Sequence, residues 1–152
     1  MTEVLFYHLE RQPLEKVLPL LLDKTLQRGW RAVVRSGLPQ RLRHLSDAIW
    51  AWRDESFIPH AMSGEEHAAL QPVWLTADEE NPNDANVLFC IDGAAPRRAD
   101  LERMERVIVM FPASDPSAVE AARSLWRKLA GNEDLDMTYW RQNASGQWEK
   151  KA

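Results

Sequence analysis

Apolar and polar residues change their period along this chain, and the changes mark out its elements. Residues 2–9 (TEVLFYHL) alternate and are rich in β-formers, which predicts a first strand. Residues 13–28 switch to helical spacing. Leu14, Val17, Leu18, Leu21 and Leu22 fall on one stripe, and Gly29 stands where a helix-ending glycine belongs. Pro19 lies inside that stripe and, lacking an N–H, is expected to kink the helix or shift its start. Residues 30–35 (WRAVVR) read as a second strand. Ser36-Gly37-Leu38-Pro39 then introduces a helix to about Trp52, with Leu38, Leu42, Leu45, Ile49 and Trp52 as its buried stripe.

Residues 53–71 show no period and are expected to be irregular. Residues 72–76 (PVWLT) and 87–91 (VLFCI) are continuous apolar runs, typical of strands covered on both faces, and residues 78–86 between them read as a solvated loop. Residues 106–111 (RVIVMF) predict a further buried strand. Asp115-Pro116 supplies a cap and a first-turn proline for a helix to Ala130. Residues 137–141 and 147–150, joined through Asn143-Ala144-Ser145-Gly146, are expected to close the chain as a hairpin. No repeat or long linker divides the sequence, so one domain over residues 1–152 is expected. This order of elements implies an α/β fold, a three-layer sandwich with a largely parallel sheet.

Composition narrows the function. With 152 residues, 45% of them apolar and 28% charged, the chain suits a single soluble core. No apolar run approaches the roughly 18–20 residues of a membrane span, and no signal peptide is visible, so no membrane association is expected. The single cysteine, Cys90, fits a reducing cytoplasm. A net charge of −4 argues against a direct nucleic-acid site. Seven tryptophans are many for this length; five are expected to fill the core and the rest to mark docking surfaces.

Catalytic patterns are missing. The six glycines form neither GxGxxG nor a phosphate-binding GxxxxGK[ST], and residues 9–13, after the first strand, contain none, so neither nucleotide nor another cofactor is expected. His8, His44, His60, His67 and Cys90 have no paired spacing of the kind a metal needs. No nucleophile elbow occurs. The sequence therefore reads as a binding protein rather than an enzyme.

Three features suggest where it binds. On the helix of residues 116–130, Ala118, Val119, Ala122, Leu125, Trp126 and Leu129 form the apolar stripe. Trp126 lies on its shoulder, about 40° from the centre, with Arg123 and Arg127 just beyond. Such an edge suits a ligand that combines an apolar group with carboxylates. Spacing alone leaves open, and favours, the plainer reading of a core tryptophan beside ordinary surface arginines. Trp50 projects roughly 120° from the stripe of its helix, so it is either a contact residue or covered by the loop that follows. In Ser56-Phe57-Ile58-Pro59-His60, the proline stiffens a segment whose Phe57 either meets a partner or plugs the core.

The pattern Arg41, Leu45, Asp47, Ile49, Trp50, followed by Ser56-Phe57-Ile58-Pro59-His60, resembles the DNA polymerase III chi family. So do Phe6-Tyr7-His8-Leu9 and Trp126-Arg127-Lys128. The similar order of elements covers nearly the whole chain, loosening between residues 61 and 100, and the tail after Trp140 looks longer than in the best-known members. The resemblance implies a nucleotide-binding-like topology without the phosphate loop. It implies a non-catalytic accessory subunit that bridges two partners: the psi subunit of the clamp loader and the acidic C-terminal tail of single-stranded DNA-binding protein. It assigns Trp50, Arg123, Trp126 and Arg127 to the tail, and Phe57, with Ile58, Pro59 and His60, to psi. In some relatives an XPD-like repair helicase competes for the psi surface, which gives an alternative adaptor role.

Overall fold

The structure is a computed structural model that describes residues 1–52 and 58–152. Its strands are β1 (Thr2–Leu9), β2 (Ala32–Ser36), β3 (His60–Met62), β4 (Val73–Thr76), β5 (Val87–Ile91), β6 (Arg106–Pro112), β7 (Leu135–Gln142) and β8 (Trp148–Lys150). The α-helices are α1 (Leu14–Gln27), α2 (Leu42–Trp50), α3 (Arg98–Arg103) and α4 (Pro116–Leu129). One sheet contains them in the order β3-β4-β2-β5-β6-β1-β7-β8, with every neighbouring pair parallel except β7 and β8.

Strand alternation sorts the side chains into two cores. Leu5, Val34, Leu75, Phe89 and Ile108 face one side, where Val17, Leu18 and Leu22 of α1 and Leu42, Leu45 and Ile49 of α2 cover them. Val4, Phe6, Val33, Leu88, Val107 and Val109 face the other side, beneath α4 with Ala122 and Leu129. Helices on both faces of a largely parallel sheet make the three-layer α/β sandwich that the sequence implies. Among the described residues no helix is long and apolar enough to cross a membrane.

A buried ion pair ties β2 to α3. Arg35 stands on the second face, 4% exposed, and its Nη1 meets Asp100 Oδ2 at 2.9 Å. Asp100 also accepts from the Arg97 backbone N–H at 2.7 Å, which caps the short helix. Burial opposes ionisation of Asp100, but hydrogen bonds from Arg35 and Arg97 outweigh it and hold the carboxyl below its ordinary range.

Several expectations are corrected. The second helix starts at Leu42, after a 3₁₀ turn over Pro39–Arg41, and Leu38 is 40% exposed rather than part of the stripe. The helix starts late because the chain is still extended at Leu38, with φ −125° and ψ 94°, and Gly37 just before it donates its N–H to the Ile91 carbonyl at 3.1 Å. The helix also ends at Trp50, with Trp52 beyond it and part-buried against the first core. Pro19 does not shift the start of α1, because a helix begun at Leu14 buries the proline ring within the apolar stripe. The segment expected to be irregular contains β3, which pairs with β4 through three residues, too few to show a period. The chain also forms α3, six residues with no apolar stripe to announce them. Of the seven tryptophans, Trp74 is buried at 3% exposure, Trp50 is 45% exposed, and the other five are part-buried at the margins of the cores. Large indole rings seldom disappear completely into a core this small. Phe57 lies outside the described residues.

Candidate functional site

Open parallel sheets bind ligands beyond the carboxyl ends of their strands, where neighbouring connections leave on opposite faces. Here β1 leads to α1 on the first face, and β6, its neighbour, leads to α4 on the second. The crevice between them is lined by residues including Glu10, Gln12, Glu15, Arg41, Asp92 and Ser114. Arg41 fills it, with Nη2 at 2.8 Å from Glu15 and Nε at 3.2 Å from Asp92. The two carboxylates occupy its charge, and α1 begins at Leu14, after Pro13 at the N-cap, with Glu15 in its first turn. The crevice therefore sets the carboxylates of Glu15 and Asp92 beside any anion that entered it, which disfavours a phosphate. Cys90 is fully buried, and burial pushes its thiol up to about 12, far from a nucleophile's range.

A different cavity, of about 380 Å³, opens on the second face where α4 passes over β7. Arg123, Trp126 and Arg127 of α4 form one wall. Tyr139 and Arg141 of β7 form another, and Lys151 and Ala152 close the rim. Local rules explain the convergence. Asp115 caps α4 by accepting from the backbone N–H groups of Ser117 and Ala118, which fixes where the helix starts and so which way each side chain points. Residues 123, 126 and 127 then share one edge by the three- and four-residue repeat. On β7, Tyr139 and Arg141 share a face by the two-residue repeat.

Aromatic contacts hold the floor. Trp126 meets Phe6 edge-on with centroids 5.2 Å apart, and Tyr139 at 5.9 Å. The Tyr139 hydroxyl pairs with His8 Nδ1 at 2.7 Å. Burial, and then Arg141, holds His8 below its ordinary pKa, so its ring is neutral at physiological pH. The four basic side chains are not equally engaged. Arg141 donates to Glu10 at 2.6 Å, Arg127 reaches Glu120 and Ser124 at 3.2 Å each, and Lys151 lies 3.5 Å from Glu149. Arg123 makes no ion pair among the described residues, so its charge is the most available. The site can thus take an apolar group against Trp126 and a carboxylate against Arg123.

The sequence-predicted residues divide into two places. Arg123, Trp126 and Arg127 come together in this cavity. Trp50 does not join them, because α2 covers the opposite face of the sheet. Its indole lies 4.2 Å from the imidazole of His60, centroid to centroid. That imidazole is fixed in turn: Nδ1 donates to the Ile58 carbonyl at 2.8 Å and Nε2 pairs with the Ser46 hydroxyl at 3.0 Å. Ile58 is buried in the first core and Pro59 is part-buried. Trp50 therefore belongs spatially with residues 58–60. Sequence reasoning did not single out Tyr139, Arg141, Lys151 and His8 for the cavity. The alternation of Met137, Tyr139 and Arg141 was the available signal, but it does not say which helix lies opposite.

A family model described as DNA polymerase III chi subunit, HolC, matches residues 1–137. A protein of Rickettsia prowazekii (strain Madrid E), described as a probable DNA polymerase III subunit chi, is 26% identical over 91 residues, 60% of this chain. The match spans 55% of that relative's length. With nine-tenths of its residues inside the family model, the chain belongs to the DNA polymerase III chi subunit family.

Proposed function

We propose that the protein is a non-catalytic accessory subunit of the bacterial DNA polymerase III clamp loader, working in the cytoplasm as a bridge. One face of the sheet holds the acidic C-terminal tail of single-stranded DNA-binding protein, and a separate surface, to which Phe57 is assigned by the family resemblance, holds the psi subunit. The observation that carries the reading is the cavity between α4 and β7, where an aromatic floor lies beside Arg123, Arg127, Arg141 and Lys151. A tail that joins acidic residues to an apolar end and a free carboxylate matches both chemistries. So short a peptide buries little area, and micromolar affinity, on the order of −8 kcal/mol, suits it. Many tails on coated DNA then raise the apparent affinity by multivalency.

Calorimetric titration with a peptide ending in Asp-Asp-Ile-Pro-Phe tests the tail site. Arg123→Ala is expected to weaken binding by about 1–3 kcal/mol, the worth of a hydrogen bond to a charged group, and rising salt should weaken it further. Wild-type affinity in that variant would place the tail elsewhere.

Trp50, beside His60, is reassigned in this reading from the tail to the psi surface, with Ile58, Pro59 and His60. Phe57→Ala should cost the psi complex about 2 kcal/mol or more, as truncation of an interface aromatic commonly does, and leave the tail peptide's affinity unchanged. Affinity capture with wild type and this variant side by side measures it, and identifies whether psi or a repair helicase occupies the surface. Equal loss of both partners would count against two separate sites.

A further inference from the structure

The chain beyond the residues matched by the family model supplies much of the cavity: Tyr139, Arg141, Lys151 and Ala152 all lie after residue 137. Lys151 reaches the cavity only because β8 folds back on β7 in one register. Asn143 sets the turn. Its backbone N–H donates to the Gln147 carbonyl at 2.8 Å, its side-chain oxygen accepts from the N–H groups of Ser145 and Gln147, and Gly146 takes the positive φ of +81° that the turn requires. Trp148 anchors the returning strand on the first face, edge-on to Tyr7 at 4.9 Å. Pairing then runs Gln142 with Trp148, Arg141 with Glu149, and Trp140 with Lys150.

The ladder continues past β8. Lys151 N–H donates to the Tyr139 carbonyl at 2.7 Å, and Tyr139 N–H to the Ala152 carbonyl at 3.3 Å. Two residues thus oppose one, as in a β-bulge, at the position that faces Trp126. Residues directly opposite share a face, so Lys151 comes to the second face with Tyr139, while Lys150, opposite Trp140, lies on the first. A slip of one residue would exchange the two lysines.

We propose that the β7–β8 hairpin is a recognition element, with Lys151 as the cation that contacts the acidic residues preceding the apolar end of the bound peptide. The proposal rests on the tail-binding reading above. Charge complementarity favours this occupant: Arg127 and Arg141 reach Glu120 and Glu10 at 3.2 and 2.6 Å, while Lys151 has only the longer contact with Glu149 at 3.5 Å.

The test uses the full chain and the peptide ending in Asp-Asp-Ile-Pro-Phe, with melting temperature measured for every variant. Lys151→Glu is expected to weaken binding about tenfold or more, within the range of a lost charge-assisted contact. Lys150→Glu makes the same change in net charge on the opposite face and should stay within about twofold of wild type, at the low end of what a rim charge contributes. Equal weakening by the two would show a general charge effect and overturn the proposal. So would wild-type affinity in Lys151→Glu while Arg123→Ala loses binding, in which case the tail site itself stands. Wild-type affinity in both Lys151→Glu and Arg123→Ala would overturn the tail reading along with it.

Discussion

Replacing Asp100 with alanine is expected to destabilise the fold by about 3–5 kcal/mol, because it leaves the Arg35 guanidinium buried without its counter-charge. Arg35 is 4% exposed and Asp100 2% exposed, so solvent screens neither. Asp100 also accepts from the Arg97 backbone N–H, and its loss uncaps α3 at the same time. Thermal melting should fall on the order of 10 °C for a chain of this size. The same pair has a pH signature. Asp100 is held below its ordinary pKa, so the unfolded chain takes up its proton at a higher pH than the folded one. Its contribution is therefore present above the ordinary aspartate range and is lost as pH falls through the folded value. The wild-type melting temperature should drop across that acid range, and Asp100→Asn should flatten the drop. A variant with wild-type stability and an unchanged acid limb would contradict the account.

Trp126→Ala is expected to damage binding and stability together. The ring meets Phe6 and Tyr139 edge-on and forms the floor of the cavity. Its removal should cost about 2–4 kcal/mol of stability, somewhat under the 3–5 kcal/mol of a fully buried tryptophan because the ring is part-exposed. Peptide affinity should fall beyond calorimetric detection, since the apolar end loses its surface. Trp126→Phe separates the two effects: it should restore most of the stability and part of the affinity. Full stability with normal affinity in Trp126→Ala would mean that the ring is neither floor nor ligand surface.

The strands and long helices were legible because their patterns are strong. The alternation at residues 2–9, the apolar runs at 87–91 and 106–111 and the capped stripe of α4 each specify one element. The misses share a physical cause. β3 and α3 are short and are held by tertiary contacts, β3 by pairing with β4 and α3 by the bond that Arg35 donates to Asp100, which no local period records. The late start of α2 follows from the bond of the Gly37 N–H to the Ile91 carbonyl, a partner far along the sequence.

The candidate site was half legible for a similar reason. Spacing along one helix can place Arg123, Trp126 and Arg127 on a common edge, but the second wall comes from β7, and the strand order that brings it there cannot be read from either segment. Helical angle also predicts the exposure of Trp50, yet says nothing of the face of the sheet its helix covers. That information separates Trp50 from the arginine edge and places it beside His60.

Mapping the peptide by amide NMR tests the central claim most directly. As the peptide ending in Asp-Asp-Ile-Pro-Phe is added, the largest shift changes should fall on residues 123–127 of α4, on Tyr139 and Arg141 of β7 and on Lys151, with residues 46–52 and 58–62 unaffected. Changes confined to α2 and β3, with α4 and β7 silent, would contradict the account.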